Sequence, residues 1–250
     1  MGAIVVLGLV QGLCEFLPIS SSGHLVLLSR WLGVQDSLFI SIVLHLATLL
    51  AVVVVMRKEV WGLVRHPFSK QGIMLMLATI CTCLIAIVLM PFISSSFEGA
   101  FLPIAFLITA ILLFIVGRFV KKTKVQKEFG YKQAVIMGIA QGFAIFPGIS
   151  RSGATISAGL FSGAGREESA KFSFILSLPV IICSLIMEII KIFLFKQPIS
   201  VNWLGLILAF IVSFVVGIAS IKFMLKITGR GNFVGFSIYL LIISILSFIF

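Results

Sequence analysis

Residues 72–92 read GIMLMLATICTCLIAIVLMPF, with no charged side chain. About 20 apolar residues is what an α-helix needs to cross roughly 30 Å of hydrocarbon. Comparable runs recur at about 37–56, 101–118, 172–190, 202–221 and 232–250. Lipid offers the backbone no hydrogen-bond partner, so only helices and closed barrels can span it. The ten-residue alternation of barrel strands is absent from this chain. With 60% hydrophobic and 11% charged residues, the composition lies outside the range of soluble domains. The expected fold class is an all-α polytopic membrane protein, one integral membrane domain over 1–250 with six transmembrane helices. The N-terminal run leads straight into a polar stretch with no small-residue cleavage pattern, so a removable signal peptide is not expected. Cys14, Cys81, Cys83 and Cys183 all lie in apolar segments without C-x-x-C spacing and read as packing residues.

Two further regions, about 3–33 and 133–163, are apolar at both ends but broken in the middle by Gly, Pro and Ser. Laid over each other at an offset of 130, they pair Gln11 with Gln141, Gly12 with Gly142, Phe16 with Phe146 and Ile19 with Ile149. The match continues with Ser20 on Ser150, Ser22 on Ser152 and Gly23 on Gly153, without a gap. This is an internal repeat. The differences carry chemistry, since Glu15 faces Ile145, Ser21 faces Arg151 and His24 faces Ala154.

Charge in the connecting segments decides whether the broken regions cross or return. If both return, the side holding 57–71, 118–132, 164–171 and 222–231 carries 15 Lys and Arg, against Arg30, Lys191 and Lys196 on the other. The positive-inside rule then makes both regions re-entrant helix hairpins and puts both termini outside the cytoplasm. Three full spans separate them, so the hairpins enter from opposite sides. The expected halves, about 1–118 and 131–250, are related as inverted repeats. Irregular backbone at membrane depth is tolerated only where protein or a wet cavity surrounds it, so both tips should line one shared pocket.

The second tip, FPGISRSGAT, brings Arg151 together with Ser150, Ser152, Thr155, Gly148 and Gly153. A guanidinium beside open backbone N–H groups at a helix start suits a phosphate oxyanion. An arginine that only caps helix ends is the alternative. At the first tip Gln11 and Glu15 are spaced i, i+4 and share a helical face, which suits a divalent cation held through oxygen. A direct Glu15 to Arg151 ion pair without metal is the rival reading. Ser21 and His24, three residues apart, can share a face as nucleophile and base. His24 as the nucleophile is the other assignment. His45 reads as a satisfied core residue, and His66 as solvated in a basic loop.

QGLCEFLPISSSGH (11–24) and PGISRSGAT (147–155), in this order and near this separation, resemble the two signature motifs of the undecaprenyl-diphosphatase family, also called bacitracin-resistance proteins. The resemblance covers essentially the whole chain. It implies hydrolysis of undecaprenyl diphosphate to undecaprenyl phosphate and inorganic phosphate, recycling the lipid carrier of cell-wall synthesis. It also implies Mg²⁺ or Ca²⁺ as cofactor and a site open to the outer face of the bacterial plasma membrane. By position, the family's acidic pair falls on Gln11 and Glu15, its catalytic serine and histidine on Ser21 and His24, and its phosphate-gripping arginine on Arg151. Ser150 and Thr155 also match, and Ser20, Ser22, Gly148, Ser152 and Gly153 complete the expected phosphate-binding set. Gln11 departs from the glutamate that many members carry. Expected partners are a polyprenyl diphosphate lipid and membrane lipids, with no nucleic acid and with a homodimer admissible. Inverted repeats meeting at the midplane also describe a secondary transporter or a flippase of a phosphorylated lipid or anion.

Overall fold

The computed structural model describes residues 1–34, 37–96, 101–120, 129–195, 201–230 and 233–249. Among them the secondary structure is entirely helical. In chain order the helices are α1 (Gly2–Cys14), α2 (Ser21–Trp31), α3 (Ser37–Val55), α4 (Arg57–Arg65), α5 (Lys70–Ser96) and α6 (Phe101–Phe119). They continue as α7 (Tyr131–Phe143), α8 (Arg151–Phe161), α9 (Arg166–Phe195), α10 (Trp203–Arg230) and α11 (Val234–Ile249). All six apolar runs are helical over most of their described residues. Among the described residues four helices are long and apolar enough to cross a membrane, or up to five if α3 and α4, bent by 86° at their junction, count as one span. α1 and α11 are apolar but shorter. The chain is thus a multi-pass helical membrane protein. Of the basic residues that set the expected orientation, those in 121–128 and Lys196 lie outside the described residues.

α4 differs from the sequence expectation, which treats 57–71 as a connecting loop. RKEVWGLVR contains no proline, and no residue of α4 is buried. It carries the exposed apolar side chains Trp61 and Val64 beside the cations Arg57, Lys58 and Arg65. The Arg65 guanidinium lies 4.9 Å from the Trp61 ring centroid. Too short and charged to span, the segment turns off α3 as a surface helix.

The two broken regions fold alike. α1 and α7 have 13 residues each, and α2 and α8 have 11 each. Each pair is interrupted where the sequence places its prolines, Pro18 in one and Pro147 in the other, as expected of a residue that lacks an N–H and restricts its predecessor. Each second helix is capped by the same residue of the repeat. Ser20 Oγ accepts from Gly23 N at 3.3 Å and Ser150 Oγ from Gly153 N at 3.1 Å. Such caps satisfy a donor that the first helical turn leaves open.

Lipid tails are as apolar as leucine, so helices associate in a bilayer through close packing and hydrogen bonds. The repeat supplies the close packing in matching places. α1 packs along α10, and α7 along α5. A Cβ added at Gly12 would stand 2.7 Å from Ser213 O, and one at Gly142 2.6 Å from Ile85 Cβ. Gly8 and Gly138 lie equally hard against the backbones of Ala209 and Ala78. Thr82 Oγ1 shares its proton between Ala78 O and Gly138 O, both at 2.9 Å, tying α5 to α7. The outer faces stay apolar and open, as at Leu84, Ile87 and Val88 of α5, where lipid is their natural cover. Inside, Phe16, Phe106, Ile156, Phe174 and Phe233 belong to the main buried cluster, and Phe16 comes from the first helix break itself.

Candidate active site

The tips of the two broken regions interlock. Ser152 Oγ donates to Leu17 O at 2.9 Å. A Cβ at Gly23 would stand 3.0 Å from Gly148 Cα. Gly148 has φ +92°, a conformation open to glycine at little cost. Its carbonyl accepts from Thr109 Oγ1 at 3.2 Å, and the same hydroxyl accepts from Ser150 N at 3.1 Å. The start of α8 is thereby pinned to α6. Thr155 Oγ1 lies 2.6 Å from Ser173 Oγ and donates to Arg151 O at 2.8 Å, fixing the first turn of α8 against α9.

Glu15, buried at the C-terminal end of α1, is the hub. Its Oε2 accepts from the Ser21 hydroxyl and, at 3.0 Å, from Gln11 Nε2. Its Oε1 accepts from Arg151 Nη2. Gln11 Nε2 also reaches Thr48 Oγ1 at 3.4 Å. His45 Nε2 stands 3.7 Å from Glu15 Oε2, while its Nδ1 lies 2.8 Å from Ser41 O. A carboxylate in so dry a place needs such company, since an unpaired buried charge is severely destabilising. α2 and α8 both begin here, so two helix N-termini, each favouring negative charge, meet beside one guanidinium.

The structure therefore brings together Gln11, Glu15, Ser21 and Arg151, drawn from both repeats. The ion pair between Glu15 and Arg151, the rival to a metal in the sequence reading, is present. Ser20 and Ser22 lie at the start of α2 with hydroxyls 3.4 Å apart, and Ser150 and Ser152 at the start of α8 with hydroxyls 3.3 Å apart. Ser21 and His24 share α2, but their hydrogen bonds diverge. Ser21 donates to Glu15, whereas His24 Nδ1 lies 2.8 Å from Ser20 O and Nε2 2.8 Å from Tyr239 OH. Two residues of the cluster escaped the sequence reading as site residues. His45 reads as core, and only its position three residues before Thr48 on α3 hints that it faces inward. Tyr239 carries no local signal at all.

Among the described residues no group of three or more His, Cys, Asp or Glu side chains is placed to hold a metal ion. One observation does fit a hard cation. Gln11 Oε1 is buried and has no hydrogen-bond partner. The Gln11 amide nitrogen faces Glu15, so this oxygen and the Glu15 carboxylate would serve one cation, such as a Mg²⁺ that keeps waters and takes phosphate oxygens, once the Gln11 amide turns over.

Fold and site together define a multi-pass helical membrane protein in which a carboxylate, an arginine and a serine meet at two paired helix starts. Comparison with known families is specific: residues 4–246 match the family model described as bacitracin resistance protein BacA, and the chain belongs to that family. Among its relatives, the undecaprenyl-diphosphatase of Carboxydothermus hydrogenoformans is 36% identical over 245 residues, covering 96% of this chain and 94% of the relative. The undecaprenyl-diphosphatase of Treponema denticola is 38% identical over 252 residues, covering 95% and 92%. That of Idiomarina loihiensis is 34% identical over 258 residues, covering 98% and 97%.

Proposed function

We propose that this chain hydrolyses undecaprenyl diphosphate to undecaprenyl phosphate and inorganic phosphate, with Ser21 as nucleophile. The observation that carries the reading is the Ser21 hydroxyl donating to a Glu15 carboxylate that Arg151 also holds. As Ser21 Oγ bonds to the terminal phosphorus, its proton passes to Glu15 Oε2. The phosphoanhydride P–O bond breaks and undecaprenyl phosphate leaves with the bond's electron pair. The Glu15 carboxyl gives that proton up to the departing phosphate or to solvent. Water then attacks the phosphoserine, passing a proton to the carboxylate, which returns it to Ser21 Oγ as the Ser–O–P bond breaks and inorganic phosphate leaves. Phosphoryl transfer asks little of a protein beyond position and charge neutralisation. Arg151 supplies both, since one of its five N–H donors serves Glu15 and the rest of the fork remains for phosphate oxygens. Backbone N–H groups at Ser22 and Ser152 and the hydroxyls of Ser20 and Ser150, which the N–H groups of Gly23 and Gly153 hold in place, complete the proposed phosphate site, with Thr155 fixing the first turn of α8 and Gly148 allowing close approach. Mg²⁺ or Ca²⁺, held by Glu15 and Gln11 Oε1, would supply further neutralisation of phosphate charge.

The finer architecture belongs to the same proposal. The chain is one membrane domain of six spans and two re-entrant hairpins, about 3–33 and 133–163, in inverted repeats of about 1–118 and 131–250. Equal helix lengths, matching serine caps and the exchanged packing of α1 on α10 and α7 on α5 support it. The distribution of Lys and Arg supports placing both termini outside the cytoplasm, and the family resemblance supports a site open to the outer face of the plasma membrane. A homodimer is compatible with the open apolar faces.

The test is phosphate release from C15 and C55 diphosphates by purified protein in detergent, with and without chelator. Release that disappears in Ser21→Ala supports the reading. With no membrane to cross, a protein that only transports or flips its lipid would release nothing, and that result would overturn it.

A further inference from the structure

His24 is almost fully buried, and both ring nitrogens are engaged. Nδ1 faces the carbonyl of Ser20 at 2.8 Å. A carbonyl can only accept, so Nδ1 carries the proton. In the neutral ring Nε2 is then an acceptor, and the Tyr239 hydroxyl, 2.8 Å away, donates to it. The two rings lie nearly parallel, 6° apart with centroids at 5.7 Å, while Phe106 meets the His24 ring edge-on at 5.3 Å. Tyr239 is itself held in place. Ser237 Oγ donates to Ala110 O and Ser244 Oγ to Pro103 O, each at 2.7 Å, which ties α11 to α6 on both sides of the tyrosine.

The carbonyl that His24 grips belongs to the peptide joining Ser20 to Ser21. Ser20 has φ +66°, a non-glycine residue in the left-handed region, which costs of order 1 kcal/mol or more and persists only where surroundings enforce it. This constrained residue immediately precedes the serine whose hydroxyl meets Glu15. We propose that Tyr239 is a positioning residue for Ser21. Its hydroxyl holds His24 in the Nδ1–H form, the Nδ1–H group clamps the Ser20 carbonyl, and the clamp fixes the first turn of α2 so that Ser21 reaches Glu15. His24 then serves as a hydrogen-bond donor to backbone, and the proton of Ser21 goes to Glu15 alone. The inference rests on the hydrolase reading above.

Two variants and one spectrum test it. Tyr239→Phe keeps the ring against His24 and Phe106 but removes the hydroxyl. Phosphate release from farnesyl diphosphate should show kcat lowered about tenfold, the size of one hydrogen bond, with KM unchanged. His24→Asn keeps an N–H close to the position of Nδ1 but has no ring nitrogen to act as base or nucleophile. It should retain at least about ten times the activity of His24→Ala, again one hydrogen bond. In ¹⁵N-histidine NMR of the full chain in detergent, with only three histidines to assign, His24 should give the Nδ1–H pattern, and its Nε2 resonance should move in Tyr239→Phe. An unmoved Nε2 resonance, a parental kcat in Tyr239→Phe, or His24→Asn no better than His24→Ala overturns the proposal. If no variant and not even the parent releases phosphate, the hydrolase reading has failed, while the NMR comparison still decides whether Tyr239 sets the form of His24.

Discussion

Arg151, the first residue of α8, donates through Nη2 to Oε1 of Glu15, at the C-terminal end of α1 and 136 residues earlier in the chain. The pair joins the two repeats at the point where each breaks its helix. It also gives the repeat's asymmetry a physical meaning, because one half contributes the carboxylate and the other the cation. A pair of charges on the same half would leave the second tip with nothing to hold.

Arg151→Lys should lose roughly 10²-fold in kcat/KM for phosphate release, the scale for removing a preorganised donor from developing phosphate charge. Lysine keeps the charge but cannot serve Glu15 and two phosphate oxygens from one planar fork. Near-parental activity would show that charge alone suffices. Arg151→Ala should in addition lower stability in detergent by about 3 kcal/mol or more, because it leaves a buried carboxylate unpaired. Adding Glu15→Gln to that variant should restore thermal stability and leave activity absent.

Much of this arrangement is legible in the amino-acid sequence. The six apolar runs are helical over most of their described residues, four of them long and apolar enough to span, and the breaks fall where Pro18 and Pro147 stand. Arg151 and Glu15 stand out because ionisable groups amid apolar sequence need partners. What the sequence hides is tertiary. Tyr239 meets His24 across 215 residues, and no local pattern marks it. His45 is spaced like any inward residue of α3, and only packing brings it beside Glu15. The three-residue spacing of Ser21 and His24 places them on one helix but leaves open where their hydrogen bonds go. α4 is hidden for a different reason: nine residues rich in charge give too short a period to separate from a loop.

The exchanged packing of the repeats makes a paired prediction. Alanine at Gly138 would put its Cβ 2.6 Å from Ala78 Cα, and at Gly8 2.8 Å from Ala209 Cα, with rigid backbone on the other side. Each substitution should cost about 1–3 kcal/mol, the range for overpacking, seen as a lowered thermal unfolding midpoint in detergent. Gly62→Ala, where nothing lies within 4 Å, should not lower it. Equal midpoints for all three would mean that α1 and α7 do not press on their partners.

Orientation can be read from one introduced thiol. With Cys14, Cys81, Cys83 and Cys183 replaced, Arg65→Cys at the end of α4 should react with a membrane-impermeant maleimide only after the cytoplasm is opened. A tag at Met1 should be reached from outside in intact cells. The expectation follows from the basic side facing the cytoplasm. Labelling of Arg65→Cys in intact cells would reverse the orientation.

Gln11→Glu probes the metal directly. The Gln11 side chain is fully buried, donates to Glu15 at 3.0 Å and carries an oxygen with no partner. Replacing its amide by a carboxylate removes that donor and sets two acidic groups at hydrogen-bond distance. Without a cation this is like-charge repulsion in a dry place, so the apo protein should unfold at a lower temperature than the parent. With a divalent cation the same two groups become two anionic oxygen ligands, and ligand charge is a main control of affinity. The variant's unfolding midpoint should therefore rise with added Mg²⁺ more steeply than the parent's, and the Mg²⁺ concentration giving half-maximal phosphate release should fall. The two readouts are independent, because the first needs no turnover. A variant destabilised equally with and without Mg²⁺, and needing as much or more of it for activity, would remove Gln11 and Glu15 as metal ligands and leave Glu15 as the partner of Arg151 and Ser21 only.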